Sequence, residues 1–222
     1  MEYLTQRHQL IETALAMNRM GINQGTSGNI SVRVDGGFLI TPSALPYEEC
    51  HPEDIVFMNP DGGWEGNRKP SSEWRFHRDI YQHRSDAGAV LHAHPPWCTT
   101  LACLQRDIPP FHYMIAVAGG NDIRCAPYAT FGTQRLSDYV LQALRDRNAC
   151  LLANHGMLCL ETDLSRTLSL AVEVENLARI YVQASAIGQP SLLSDEEMQR
   201  VLSKFQEYRR TNSPADDDKT SR

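Results

Sequence analysis

The chain has 222 residues, 41% of them hydrophobic and 22% charged, which suits one domain with a sizeable core and argues against global disorder. A net charge of −6 leaves no basic footprint for nucleic acid or an anionic membrane, while a local basic pocket for an anion stays open. No apolar run approaches a membrane span, Met1–Arg7 lacks the pattern of a leader peptide, and the six cysteines (Cys50, Cys98, Cys103, Cys125, Cys150, Cys159) form no CxxC pair, so a soluble, cytoplasmic protein with reduced thiols is expected.

In chain order, Leu4, His8, Ile11 and Leu15 recur at helical spacing and predict a helix over 2–20, with Gly21 at its C′ position. A polar loop, Gly21–Asn29, leads into an alternating strand at 30–34, a turn at Asp35-Gly36-Gly37 and a return strand at 38–41. A further strand is expected over 54–58, followed by a turn at 59–63. Ser71-Ser72 before Glu73 predicts a helix with a serine cap and an acidic first turn. Ala87–Leu91 is an apolar strand ending in His92-Ala93-His94, and Pro95-Pro96 opens a helix to about Leu104. Periodicity does not decide the type of the apolar stretch 111–118. A short strand at 123–126, a helix over 133–145, strands at 150–153 and 157–160 and a long helix over 163–187 follow. Ser194–Glu197 reads as a capping box opening a last helix to about Tyr208. There is no internal repeat or long linker, so 1–210 is expected to be a single domain and the acidic tail 211–222 to be disordered. Alternating strands and helices with early hairpins point to a mixed, largely antiparallel central sheet with helices on both sides.

The chemistry starts with His92 and His94. On a strand, residues two apart face the same side, roughly 7 Å apart along the backbone. Two such imidazoles fill two positions around a divalent ion, and His155, at the end of the second apolar strand, supplies a third. Buried strands ending in histidines bonded to carbonyls are the plainer alternative, and the HxH spacing with a matching third histidine weighs against it. Three protein ligands and no paired cysteines suit a catalytic ion rather than a structural one. Taken alone, Glu73 reads as a first-turn glutamate serving the helix dipole; beside the histidines it is the carboxylate available to the ion. The loops carrying Thr26, Asn29, Ser43, Ala44, Ser71 and Ser72 offer hydroxyls and backbone N–H groups, the makings of a phosphate cradle without lysine. They match neither the Walker nor the dinucleotide pattern.

The run Gly25-Thr26-Ser27-Gly28-Asn29, Thr41-Pro42-Ser43, Lys69-Pro70-Ser71-Ser72-Glu73, His92-Ala93-His94 and Asn154-His155-Gly156, in this order, resembles the class II aldolase/adducin family. Within it, the likeness is greatest to the branch that acts on L-fuculose 1-phosphate, and it covers about residues 10–208. The resemblance implies a three-layer α/β/α sandwich and a homotetramer with active sites at subunit interfaces. It implies zinc, with manganese or cobalt as alternatives, on His92, His94 and His155, with Glu73 as a ligand until substrate binds. It implies a phosphate pocket from Thr26, Asn29, Ser43, Ser71 and Ser72. Tyr113, from a neighbouring subunit, would serve the aldehyde oxygen.

The sequence departs from that branch at Ala44, where glycine is usual, and at the bulky Pro95-Pro96-Trp97; Tyr208 matches a C-terminal tyrosine that reaches the site there. The implied reaction is reversible cleavage of a ketose 1-phosphate to dihydroxyacetone phosphate and a small aldehyde. A 5-deoxyribulose or 5-methylthioribulose 1-phosphate aldolase is the near alternative, with Trp97 and Phe131 facing the deoxy or thioether end. An epimerase, decarboxylase or dehydratase of sugar phosphates is another. A non-enzymatic adducin-like scaffold is disfavoured by retention of Glu73 and the three histidines.

Overall fold

The structure is a computed structural model that describes residues 1–211, without the side chains of residues 209 and 210. Its centre is strand β5 (Ala89–Ala93). In chain order the elements are α1 (Leu4–Arg19), β1 (Asn29–Val34), β2 (Gly37–Ile40), β3 (Val56–Met58), β4 (Trp64–Glu65), α2 (Trp74–His83), β5 (Ala89–Ala93), α3 (Pro96–Cys103), β6 (Arg124–Ala126), α4 (Gln134–Ala143), β7 (Ala149–Leu152), β8 (Gly156–Glu161), α5 (Leu164–Ile187) and α6 (Asp195–Thr211). The strands form one sheet in the order β4-β3-β2-β1-β5-β8-β7-β6. Every pairing is antiparallel except β6 with β7.

Strand alternation divides the core in two. Ala89, Leu91 and Ala93 of β5 join Ile30 and Leu39 in a core that packs against α1, α3 and α5. Val90, with Phe38, Ile40 and Leu158, faces the opposite core, closed by Phe76, Ile80 and Tyr81 of α2 and Leu136 and Val140 of α4. The result is the expected α/β/α sandwich around a mixed, largely antiparallel sheet. All six cysteines are free, and among the described residues no helix is long and apolar enough to cross a membrane.

Several boundaries differ from the sequence expectation for local reasons. The strand expected at 54–58 begins at Val56, because Pro52–Asp54 is a 3-10 turn. The Asp54 carboxylate closes that turn on the His51 N–H at 3.0 Å and holds Arg68 at 2.9 Å. Helix α2 begins at Trp74, and Ser72 is not its cap. The turn is made instead by the Ser71 carbonyl, which accepts from the Trp74 N–H at 3.2 Å, and Glu73 directs its carboxylate inward. The undecided stretch contains a 3-10 helix, Tyr113–Ala118, opened by the Met114 N–H donating to His112 Nδ1. The two-residue strand β4 carries no pattern long enough to predict. At α6 the Ser194 hydroxyl accepts from the Glu197 N–H, but the Glu197 carboxylate turns to Arg200, so only half of the capping box forms. Thr211 ends that helix rather than opening a disordered tail; the rest of that expectation concerns residues 212–222, outside the described residues.

Candidate metal centre

The sheet register builds the site. His92 on β5 lies opposite Asn29 on β1 and Leu158 on β8. His94 follows one residue after the strand ends, just before Pro95, which cannot donate to a ladder. His155 sits on the β7–β8 turn, where Asn154 has φ 55, a left-handed conformation that asparagine tolerates. Glycine is needed next: a Cβ at Gly156 would meet the Ala93 carbonyl at 2.4 Å and the His94 ring at 2.6 Å.

One nitrogen from each of the three imidazoles falls within a 4.8 Å group. His92 Nε2 and His94 Nε2 are 2.9 Å apart. Glu73 Oε2 is 3.2 Å from His92 Nε2, and Glu73 Oε1 is 3.4 Å from His155 Nε2. Donors arranged tetrahedrally about an ion at about 2.0–2.1 Å stand roughly 3.3 Å from one another, so these spacings suit a shared cation. The His92 Nδ1–H donates to the Met157 carbonyl at 2.8 Å, which leaves Nε2 as a lone pair facing the group. Glu73 Oε1 is buried with no hydrogen-bond partner. A buried carboxylate oxygen is costly in that state, and a cation at this point would satisfy it. The residues present therefore fit a divalent metal.

The charge states agree. Burial first, and then the neighbouring His92, lowers His94 and His155 to about 4, so both offer lone pairs at neutral pH. Burial pushes Glu73 up, but the neighbouring His92 and His155 and the hydrogen bond from Asn29 outweigh it and hold the carboxyl at about 2. Metal-free protein should consequently lose stability on acidification. These histidines bind protons in the unfolded chain below their ordinary 6.5 and in the fold only near 4, so the loss falls between those values. Urea midpoints of the apoprotein measured from pH 7 to pH 4 check this.

A cavity of about 430 Å³ opens beside the histidines. Thr26, Ser27, Ser43, Ala44 and Ser72 line it, together with Tyr128, Ala129, Phe131 and Asn154, and Glu73, His94 and His155 reach it. The loops are stapled by Ser43 N–H to Lys69 O at 3.0 Å and Ser71 N–H to Thr41 O at 3.1 Å. Asn29 and Ser71, expected in the phosphate pocket, are buried and do not line the cavity. The Asn29 amide donates to Glu73 Oε2 at 3.0 Å, and the Ser71 hydroxyl accepts from the Glu73 N–H. Ala44 has φ 57, a left-handed conformation that glycine would take without strain. Ala44→Gly should gain about 1 kcal/mol of stability by relieving the left-handed strain, less the entropy that glycine adds to the unfolded chain. A urea titration of the two proteins reads that difference.

Tyr113 is not brought to the histidines within this chain. It is half exposed, stacked near Phe205 with ring centroids 6.5 Å apart, in a groove with Leu193, Val201, Lys204 and Tyr208. The sequence assigned no site role to His77 or Tyr128, and Asn154 entered only as part of the Asn154-His155-Gly156 motif. His77 carried a positional signal: it lies one helical turn after Glu73 and so on the same face.

Residues 8–182 match the family model described as the class II aldolase and adducin N-terminal domain. A 5-methylthioribulose-1-phosphate/5-deoxyribulose-1-phosphate aldolase of Rhodospirillum rubrum is 54% identical over 202 residues, 91% of each chain. An L-fuculose phosphate aldolase of Escherichia coli is 53% identical over 201 residues, 90% of this chain and 94% of that one. Among solved structures, an L-fuculose 1-phosphate aldolase superposes with a TM-score of 0.88 at 42% identity, covering 90% of this chain and 95% of the other. The chain belongs to the class II aldolase and adducin family. It is an enzyme of the aldolase side of that family, a carbon–carbon lyase.

Proposed function

We propose that the enzyme reversibly cleaves a ketose 1-phosphate to dihydroxyacetone phosphate and a small aldehyde, using zinc held by His92, His94 and His155. The observation that carries this reading is the orphaned Glu73 oxygen beside three converging imidazole nitrogens. An imidazole and carboxylate set without thiolates suits zinc and also accepts manganese or cobalt. When bound, the ion supplies Lewis acidity that spreads the negative charge left on the ketose fragment by C–C cleavage, an effect worth several kcal/mol.

The protein's own groups do the rest. Thr26, Ser43, Ala44 and Ser72 receive the phosphate through hydroxyls and backbone N–H groups, with Asn29 and Ser71 supporting the same wall. Holding the phosphate there fixes the substrate in register, so orientation is met by contacts remote from the reacting bond. Glu73 carries the proton at the enediolate carbon, a general-base role for an ionised carboxylate beside the cavity. Tyr113 serves the oxygen that becomes the aldehyde. Because it points into its own groove, it would enter from a neighbouring copy in a homotetramer with interfacial sites.

A second reading, cleavage of 5-deoxyribulose or 5-methylthioribulose 1-phosphate, is favoured by one feature. Tyr128, Ala129 and Phe131 give the cavity an apolar side that suits a deoxy or thioether end. Steady-state rates on fuculose, rhamnulose, ribulose, 5-deoxyribulose and 5-methylthioribulose 1-phosphates decide between them. Product analysis in the same assay distinguishes cleavage from epimerisation, decarboxylation or dehydration. Activity that disappears on chelation and returns with zinc supports the proposal. Undiminished cleavage after complete metal removal rejects it.

A further inference from the structure

Behind the cavity, two periodicities interleave. Glu73, at the N-cap of α2, and His77 and Tyr81 within it recur every fourth residue on one side of the helix. Asn29 and Ser31 alternate onto the facing side of β1. Where the two rows meet they form an unbroken buried chain. Tyr81 OH is 2.8 Å from Ser31 Oγ, and Ser31 Oγ is 2.7 Å from His77 Nδ1. His77 Nε2 is 2.6 Å from Asn29 Oδ1, and Asn29 Nδ2 is 3.0 Å from Glu73 Oε2.

The direction of this chain is fixed from its acidic end. A carboxylate only accepts, so the Asn29 amide must turn its NH₂ to Glu73 and its oxygen to His77. His77 must then carry its proton on Nε2 and accept on Nδ1. Ser31 donates to that nitrogen, and Tyr81 donates to Ser31. His77 is fully buried with both ring nitrogens engaged. Its two ring nitrogens let it accept from the Ser31 hydroxyl and donate to the Asn29 oxygen, joining the hydroxyl pair to the amide.

We propose that His77 is a positioning residue for the reaction: through Asn29 it sets the orientation of the Glu73 carboxylate toward the histidine group. The inference rests on the metal-dependent reading of the site. With the ring in its Nε2–H form, Asn29 cannot rotate its amide, and Glu73 keeps Oε2 on Asn29 and Oε1 free for the cation. Buried partners that orient ligating groups commonly change metal affinity or activity about 10- to 100-fold when removed.

The test compares wild type with His77→Phe, His77→Gln and Ser31→Ala in full-length protein. Phenylalanine fills the space and makes neither bond, whereas glutamine restores a donor toward Asn29 Oδ1. With zinc loaded, kcat of His77→Phe should fall about 10- to 100-fold with KM unchanged, and His77→Gln should recover most of that loss. In cobalt-substituted protein without substrate, the visible absorption of His77→Phe should shift and that of His77→Gln should return toward wild type. If His77→Phe does not fold, Ser31→Ala carries the test: it removes the hydrogen bond that Nδ1 accepts and so frees the ring to shift, and kcat and the cobalt spectrum should move in the same direction. Wild-type kcat and spectrum in folded His77→Phe, or in Ser31→Ala, would overturn the inference. So would a His77→Gln protein as impaired as His77→Phe, which would mark His77 as packing alone. A wild type that neither binds metal nor cleaves its substrate would instead remove the reading on which the inference rests.

Discussion

Glu73→Gln should retain its cation and lose turnover by about a hundred- to ten-thousandfold, the range for loss of a general base. The substitution keeps the length of the side chain and an oxygen that can accept from Asn29, so the cavity should hold its shape. The three imidazoles remain, and they contribute three of the four converging donors. What disappears is the group able to take a proton, since an amide does not do so at neutral pH. The loss should appear in kcat far more than in KM, because Thr26, Ser43, Ala44 and Ser72, which line the cavity, are untouched. Elemental analysis and steady-state rates on one preparation check both halves. A glutamine variant that turns over at the wild-type rate would remove Glu73 from the chemistry.

His94→Ala should lose the ion and, with it, nearly all activity. His94 lies past the end of β5 at the edge of the cavity and is only partly buried, so the fold does not lean on it. The apoprotein of the variant should therefore unfold at about the temperature of the wild-type apoprotein. Adding zinc should raise the melting temperature of the wild type and leave the variant's unmoved, because a ligand that binds only the folded state stabilises by mass action. His155→Ala should behave alike, since its Nε2 lies on the other side of the same Glu73 carboxylate. Thermal melts with and without zinc read this directly. A zinc-dependent rise that survives in His94→Ala would place the ion elsewhere.

Much of the centre was legible in the residues because it is built on period two. An apolar strand ending in His-Ala-His puts two rings on one side whatever sheet it joins, and they do meet, at 2.9 Å between Nε2 atoms. The turn at 154–156 was legible for a similar reason: asparagine and glycine supply the conformation and the close approach that the hairpin needs. The layered architecture followed from alternating strands and helices. The strand order did not, because β1 reaches β5 across the intervening residues 35–88, and local pattern carries no information about that pairing.

Other features were hidden for physical reasons. Ser72 reads as a helix cap, yet the backbone turn at Ser71 starts α2 and frees Glu73 to face inward. Asn29 reads as a polar loop residue and proves to be the first residue of β1, buried against Glu73 and His77. Residues 113–118 form a 3-10 helix with three residues per turn, which neither the strand nor the α-helix template detects. Ala44 is visible as a departure from glycine, but its left-handed backbone is seen only in the fold.

The most direct measurement is the metal content of purified wild type and of the protein with His92, His94 and His155 all replaced by alanine, after equilibration with zinc and removal of excess ion. One ion per chain in the wild type and none in the triple variant is the expected result. A wild type without bound metal, or a triple variant that still holds one ion per chain, would contradict the placement of a cation among these three imidazoles and Glu73.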